Sequence, residues 1–102
     1  MTLWIYRGTD ISPSNLVYTV DGEYIYRGNR VNSANIVYTI DGEYIYKGTS
    51  ITESSIAFTV DRPYIYHGDA TRKLEIAYTI DGPYIYRGDL LSSSNIAYSM
   101  FD

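Results

Sequence analysis

The sequence predicts an all-β fold of five 20-residue β-hairpin repeats in an antiparallel meander, closed on itself in a barrel- or propeller-like ring. Three observations predict it. The phrase IYRG…YTIDG recurs every 20 residues, beginning at Ile5, Ile25, Ile45, Ile65 and Ile85. Each unit holds two short runs rich in β-branched and aromatic residues, such as residues 36–40 (IVYTI) and 43–47 (EYIYK). Asp-Gly joins such runs at Asp21-Gly22, Asp41-Gly42 and Asp81-Gly82, a strong short-range signal for chain reversal. Neither run has helical periodicity.

The units justify themselves in order. A four-residue lead precedes the first, and the whole of residues 1–102 reads as one five-repeat domain. The first two units carry intact Asp-Gly turns. Taking Asp41-Gly42 as the turn pairs Ile40 with Glu43, Thr39 with Tyr44 and Tyr38 with Ile45. One face then holds Ile36, Tyr38, Ile40 and Ile45, a core face. The other holds Val37, Thr39, Tyr44 and Tyr46. The third unit turns at Asp61-Arg62-Pro63, and the fourth has Pro83 after its glycine. Proline has no N–H to close a hairpin, so looser turns are expected there. The last unit ends in YSMFD without a turn. Between units runs a polar loop with one apolar residue (Ile11, Val31, Ile51, Leu91), expected to tuck down onto the sheet end; the fourth has Thr71 there. Closure follows from the exposed edges LWIYR and IAYSMF, which an open array would leave unpaired. An alternative is a parallel β-solenoid with one unit per coil, which would stack Asn15, Asn35 and Asn95 in a ladder.

Composition narrows the function. There are 13 Tyr against 2 Phe and 1 Trp, a balance suited to half-wet surfaces. No Cys is present, which excludes a disulfide framework, a cysteine zinc site and a thiol nucleophile. No signal-peptide pattern and no apolar stretch of about 20 residues is evident, so a cytoplasmic, non-membrane protein is expected.

Two constellations stand out as binding surface. One is the Tyr field: Tyr6, Tyr26, Tyr46, Tyr66 and Tyr86, with Tyr24, Tyr44, Tyr64 and Tyr84. Such rings suit a protein interface or a sugar platform, or they pack on one another. The other is the cation column Arg7, Arg27, Lys47 and Arg87, with His67 in the fourth slot. Like positions should lie two strands apart, about 9.6 Å. A row of cations could meet phosphates, but a rim pairing with neighbouring Asp and Glu is the simpler expectation. Net charge is −4, and the hairpin tips carry it: seven acids and Arg62 there make −6. Nucleic acid is therefore disfavoured as a partner. His67 is the single histidine, no Ser-His-Asp arrangement recurs, and the lone glycines read as turns rather than a phosphate cradle. No catalytic residue, metal site or cofactor is assigned.

The phrases IYRG and IVYTIDGEYIYKG resemble those of uncharacterised bacterial proteins built from short tandem β-repeats, and the resemblance spans the chain. The unit is similar in size to MORN repeats and choline-binding cell-wall repeats. It lacks the second glycine cluster of the former and the paired Trp of the latter. The expected function is non-enzymatic: a repeated Tyr-rich surface offered to a protein partner or to further copies of the chain. The alternative is a small lectin-like module with one shallow aromatic glycan site per repeat.

Overall fold

The computed structural model describes residues 2–102; Met1, the first residue of the expected domain, lies outside the described residues. Ten strands form one closed antiparallel barrel in simple meander order: β1 (Thr2–Arg7), β2 (Leu16–Asp21), β3 (Tyr24–Arg27), β4 (Ile36–Asp41), β5 (Tyr44–Lys47), β6 (Ile56–Asp61), β7 (Tyr64–His67), β8 (Ile76–Asp81), β9 (Tyr84–Arg87) and β10 (Ile96–Phe101). The closed meander is the architecture the repeats predicted, and the parallel solenoid is not formed. The Asn column explains why no ladder was needed. Asn15 Nδ2 donates to the carbonyls of Arg7 and Asp10 at 3.4 and 3.1 Å, and Asn35 repeats this toward Arg27 and Arg30. Each Asn closes its own loop instead of stacking on its equivalents.

The ring closes without a covalent link. β10 and β1 pair Tyr98 with Arg7, Ser99 with Tyr6, Met100 with Ile5 and Phe101 with Trp4. This is the register of the hairpin β2–β3, where Tyr18 meets Arg27 and Asp21 meets Tyr24. The seam is therefore a fifth hairpin with the chain ends where its turn would be. The molecule is a disc of 35 × 34 × 18 Å. Its surface of 6383 Å² exceeds the about 5,800 Å² expected for a compact protein of this mass, as suits a disc with an open axis.

The hairpin register differs from the expected one. Asp41 pairs with Tyr44, Ile40 with Ile45 and Thr39 with Tyr46, so Gly42 and Glu43 are the central turn residues. Gly42 takes φ +63° at the first central position, which only glycine adopts at no steric cost. Pro63 and Pro83 fall at the second central position, whose N–H the ladder does not use. All four turns are therefore two-residue turns, and the expected loosening does not occur. In the third hairpin Arg62 stands in the glycine's place and the Arg62–Pro63 peptide is cis. Each partner moves by two positions, an even number, so the hairpin faces stay as predicted.

Ile36 is the exception. A bulge at each seam between hairpins sets Tyr26 opposite Ile36 and leaves Val37 as the extra residue, so Ile36 leaves the face of Tyr38. Bulges sharpen strand twist, and five of them bend strands of only four to six residues into a ring. Each bulge is anchored from the other side of its strand: the Val37 carbonyl accepts from Gly48 N–H at 2.8 Å, and the carbonyls of Val17, Ala57, Ala77 and Ala97 accept likewise from Gly28, Gly68, Gly88 and Gly8.

The buried face is the outward one. Thr19, Thr39, Thr59, Thr79 and Ser99 are the most buried polar residues, and Tyr26, Tyr46 and Tyr66 are buried beside them. Each of the four Thr hydroxyls and that of Ser99 donates to the carbonyl of the glycine that ends a neighbouring strand, as Thr39 Oγ1 does to Gly48 at 2.6 Å and Ser99 Oγ to Gly8 at 2.5 Å. A buried carbonyl left unmade would cost about 1–3 kcal/mol, so this column ties each loop to its hairpin. The loop residues Ile11, Val31, Ile51 and Leu91 do not tuck down; each is about half exposed. The inward face, predicted to be core, lines the axis.

Candidate functional site

Strand alternation sends Tyr18, Tyr38, Phe58, Tyr78 and Tyr98 to the axis, one from each hairpin. Their rings meet edge-on or tilted in an unbroken cycle. Centroids lie 6.5 Å apart for Tyr18–Tyr38, then 6.1, 6.3 and 6.1 Å round to Tyr98, and 6.4 Å from Tyr98 back to Tyr18. Aromatic edges and faces attract at such spacings, so the collar is held by its own members. Below it stand Ile5, Ile25, Ile45, Ile65 and Ile85. Collar and isoleucines enclose an open, wholly apolar cavity of about 100 Å³. On the far side of the isoleucines a second cavity of about 290 Å³ opens toward the hairpin tips, lined by Val20, Ile40, Val60, Ile80 and Met100.

Two of the collar tyrosines, Tyr38 and Tyr98, hold their protons more firmly than a free phenol. Burial pushes the Tyr38 hydroxyl above its ordinary value of 10.0, helped by Tyr18 and Tyr98 and opposed by Arg27. Tyr98 is raised in the same way, by burial and then by Tyr78, with Arg7 and Arg87 opposing. A phenol whose folded pKa is raised stabilises the fold fully below its unfolded pKa; that contribution is lost as pH climbs through the folded value. The thermal midpoint is therefore expected to fall as pH rises past about 10, and Tyr38→Phe with Tyr98→Phe should shallow that fall. An equal fall in the double variant would place the alkaline sensitivity elsewhere.

The cations frame the collar. Each pairs across its hairpin with a collar residue and shares its inward face: Arg27 with Tyr18, Lys47 with Tyr38, His67 with Phe58, Arg87 with Tyr78 and Arg7 with Tyr98. The His67 ring lies 6.0 Å from Phe58. The expected pairing of these cations with loop carboxylates is not found. Among the described residues the single ion pair is the exposed Arg72–Glu75, at 3.7 Å. The acidic tips lie at the opposite ends of the same strands, so the axis runs from a basic mouth to an acidic one.

The Tyr field is placed differently from the surface expected of it. Tyr26, Tyr46 and Tyr66 are buried wall residues, so they offer no surface. Tyr6 and Tyr86 are half-buried, as are Tyr24, Tyr44, Tyr64 and Tyr84. Tyr24, Tyr44, Tyr64 and Tyr84 each set an edge against the Tyr two residues on, at 6.0–6.2 Å. The neighbouring carboxylates of Glu23 and Glu43 raise the hydroxyls of Tyr24 and Tyr44 above their ordinary value. A glycan platform in each repeat would need free ring faces that the buried tyrosines lack. The collar itself escaped sequence reasoning, which set Tyr38 on a core face with Ile36, Ile40 and Ile45. The signal was present: the position before the Thr or Ser holds Tyr or Phe in every unit and nothing smaller.

No helix among the described residues is long and apolar enough to cross a membrane. A family model described as that of a 6-fold beta flower protein matches residues 5–102, against the five hairpins that close this ring. No curated protein and no solved structure matches the chain.

Proposed function

We propose that this chain, which belongs to the 6-fold beta flower family, is a non-enzymatic binding protein that takes one small apolar molecule on its ring axis. The carrying observation is the closed aromatic collar over an open apolar cavity. Apolar surface left facing water forgoes about 25 cal/mol per Å², and ligand sites are typically apolar hollows with a few polar groups at the mouth. A partner face for protein, or for a second copy, is the second reading. It is favoured by Ile11, Val31, Ile51, Leu90 and Leu91, which the loops leave half exposed or more.

The axial reading fixes the stoichiometry. Five similar repeats converge on one axis, so one molecule should bind per chain, where a site in each repeat would bind five. Calorimetric titration with octan-1-ol and with p-cresol is expected to give one site, and Tyr38→Ala should weaken it about tenfold, or 1.4 kcal/mol. Five sites per chain, or no effect of Tyr38→Ala, would move binding off the axis. A dimer whose formation is abolished by Val31→Asp, with no uptake of either probe, would favour the second reading.

A further inference from the structure

Resting on the axial site just described, we infer that its ligand is an amphiphilic anion: a slender alkyl tail in the collar and a carboxylate-like head at the loop mouth. The cation column decides the head. Arg7, Arg27, Lys47 and Arg87 are all exposed, share the inward face of the collar, and have no carboxylate within 4.0 Å. The closed ring sets these unpaired charges round one mouth of the axis. That geometry suits one compact anion and not a polymer, whose phosphates would need charges along a line. The tyrosine hydroxyls of the collar can donate neutral hydrogen bonds to the same head.

Charge also sets the direction. An anionic head at the other mouth would meet Asp21, Glu23, Asp41 and Glu43 on the tips, so the head belongs at the loop mouth and the tail points inward. Size sets the tail. The axis offers about 100 Å³ between collar and isoleucines and about 290 Å³ beyond them toward the tips, so a slender alkyl chain is the shape that follows it.

The test compares three eight-carbon probes of one shape, octanoate, octan-1-ol and octylamine, by calorimetry at low and high salt. Octanoate is expected to bind at least tenfold more tightly than the alcohol at low salt, with octylamine weakest. High salt, or the exposed-site variant R27Q/K47Q/R87Q, should remove the advantage of octanoate and leave the alcohol unchanged. The thermal midpoint of the triple variant verifies that it folds. If the alcohol matches octanoate, or octylamine binds best, the head-group assignment falls and the axial site stands. If none of the three binds, the axial site falls and the assignment with it.

Discussion

Tyr46→Ala is expected to destabilise the fold by about 3–5 kcal/mol, the range for truncating a buried aromatic side chain. Tyr46 is 8% exposed, stands between Thr39 and Ile56 across its two seams, and takes the edge of Tyr44 at 6.1 Å. Deleting the ring opens a hole beside Thr39 that backbone on both sides keeps from collapsing. The loss would be a large part of the about 5–15 kcal/mol that holds a typical domain. Urea unfolding with the slope checked for two-state behaviour reads it directly. Tyr44→Ala, at a half-buried position, should cost distinctly less. Equal and small losses for both would mean that the outward face is open in solution, the arrangement an offered Tyr surface requires.

Met100→Pro should be comparably severe, about 3 kcal/mol, and for a different reason. Met100 N–H donates to the Pro83 carbonyl at 2.7 Å, and its other edge pairs with Ile5 across the seam. Proline removes the donor and cannot sit within a central strand, and the orphaned carbonyl adds its own cost. The β9–β10 pairing next to the seam then opens, breaks the ring and bares two apolar edges, so light scattering should show association together with a lowered thermal midpoint. A monomer of unchanged midpoint would show that β1 and β10 do not carry the ring.

Much of the fold could be read because repetition multiplies weak signals. One Asp-Gly between two apolar runs is suggestive; the same phrase at Asp21, Asp41 and Asp81 leaves little but a meander. The register could not be read. In Asp41-Gly42-Glu43 the glycine can serve as the second central residue or the first, and only the ladder across Asp41 and Tyr44 decides. The prolines were the available clue. Pro83 is awkward in the first arrangement and comfortable in the second. The assignment of the buried side went wrong for a geometric reason. In a flat sheet the more apolar face is the core, whereas a short-stranded ring cannot fill its own axis. Ile45 and Tyr38 end on the less enclosed side, and small polar Thr39 on the tighter one. The Thr column looked like ordinary strand composition because its role, a hydroxyl set on the Gly48 carbonyl, depends on where the loop returns.

The seam has a consequence for how the molecule melts. Every other strand pair joins neighbours in sequence, while Trp4 and Phe101 meet from opposite ends of the chain. A row of like hairpins with two free ends behaves as a one-dimensional array that frays unit by unit from either side. Joining the ends leaves no terminal unit to fray. Opening any one hairpin then breaks the circuit and returns the rest to a linear row, so loss of order spreads from a single event. Cooperativity here is a property of the circle and of no one contact in it, and it rests on the pairing with the longest loop to close.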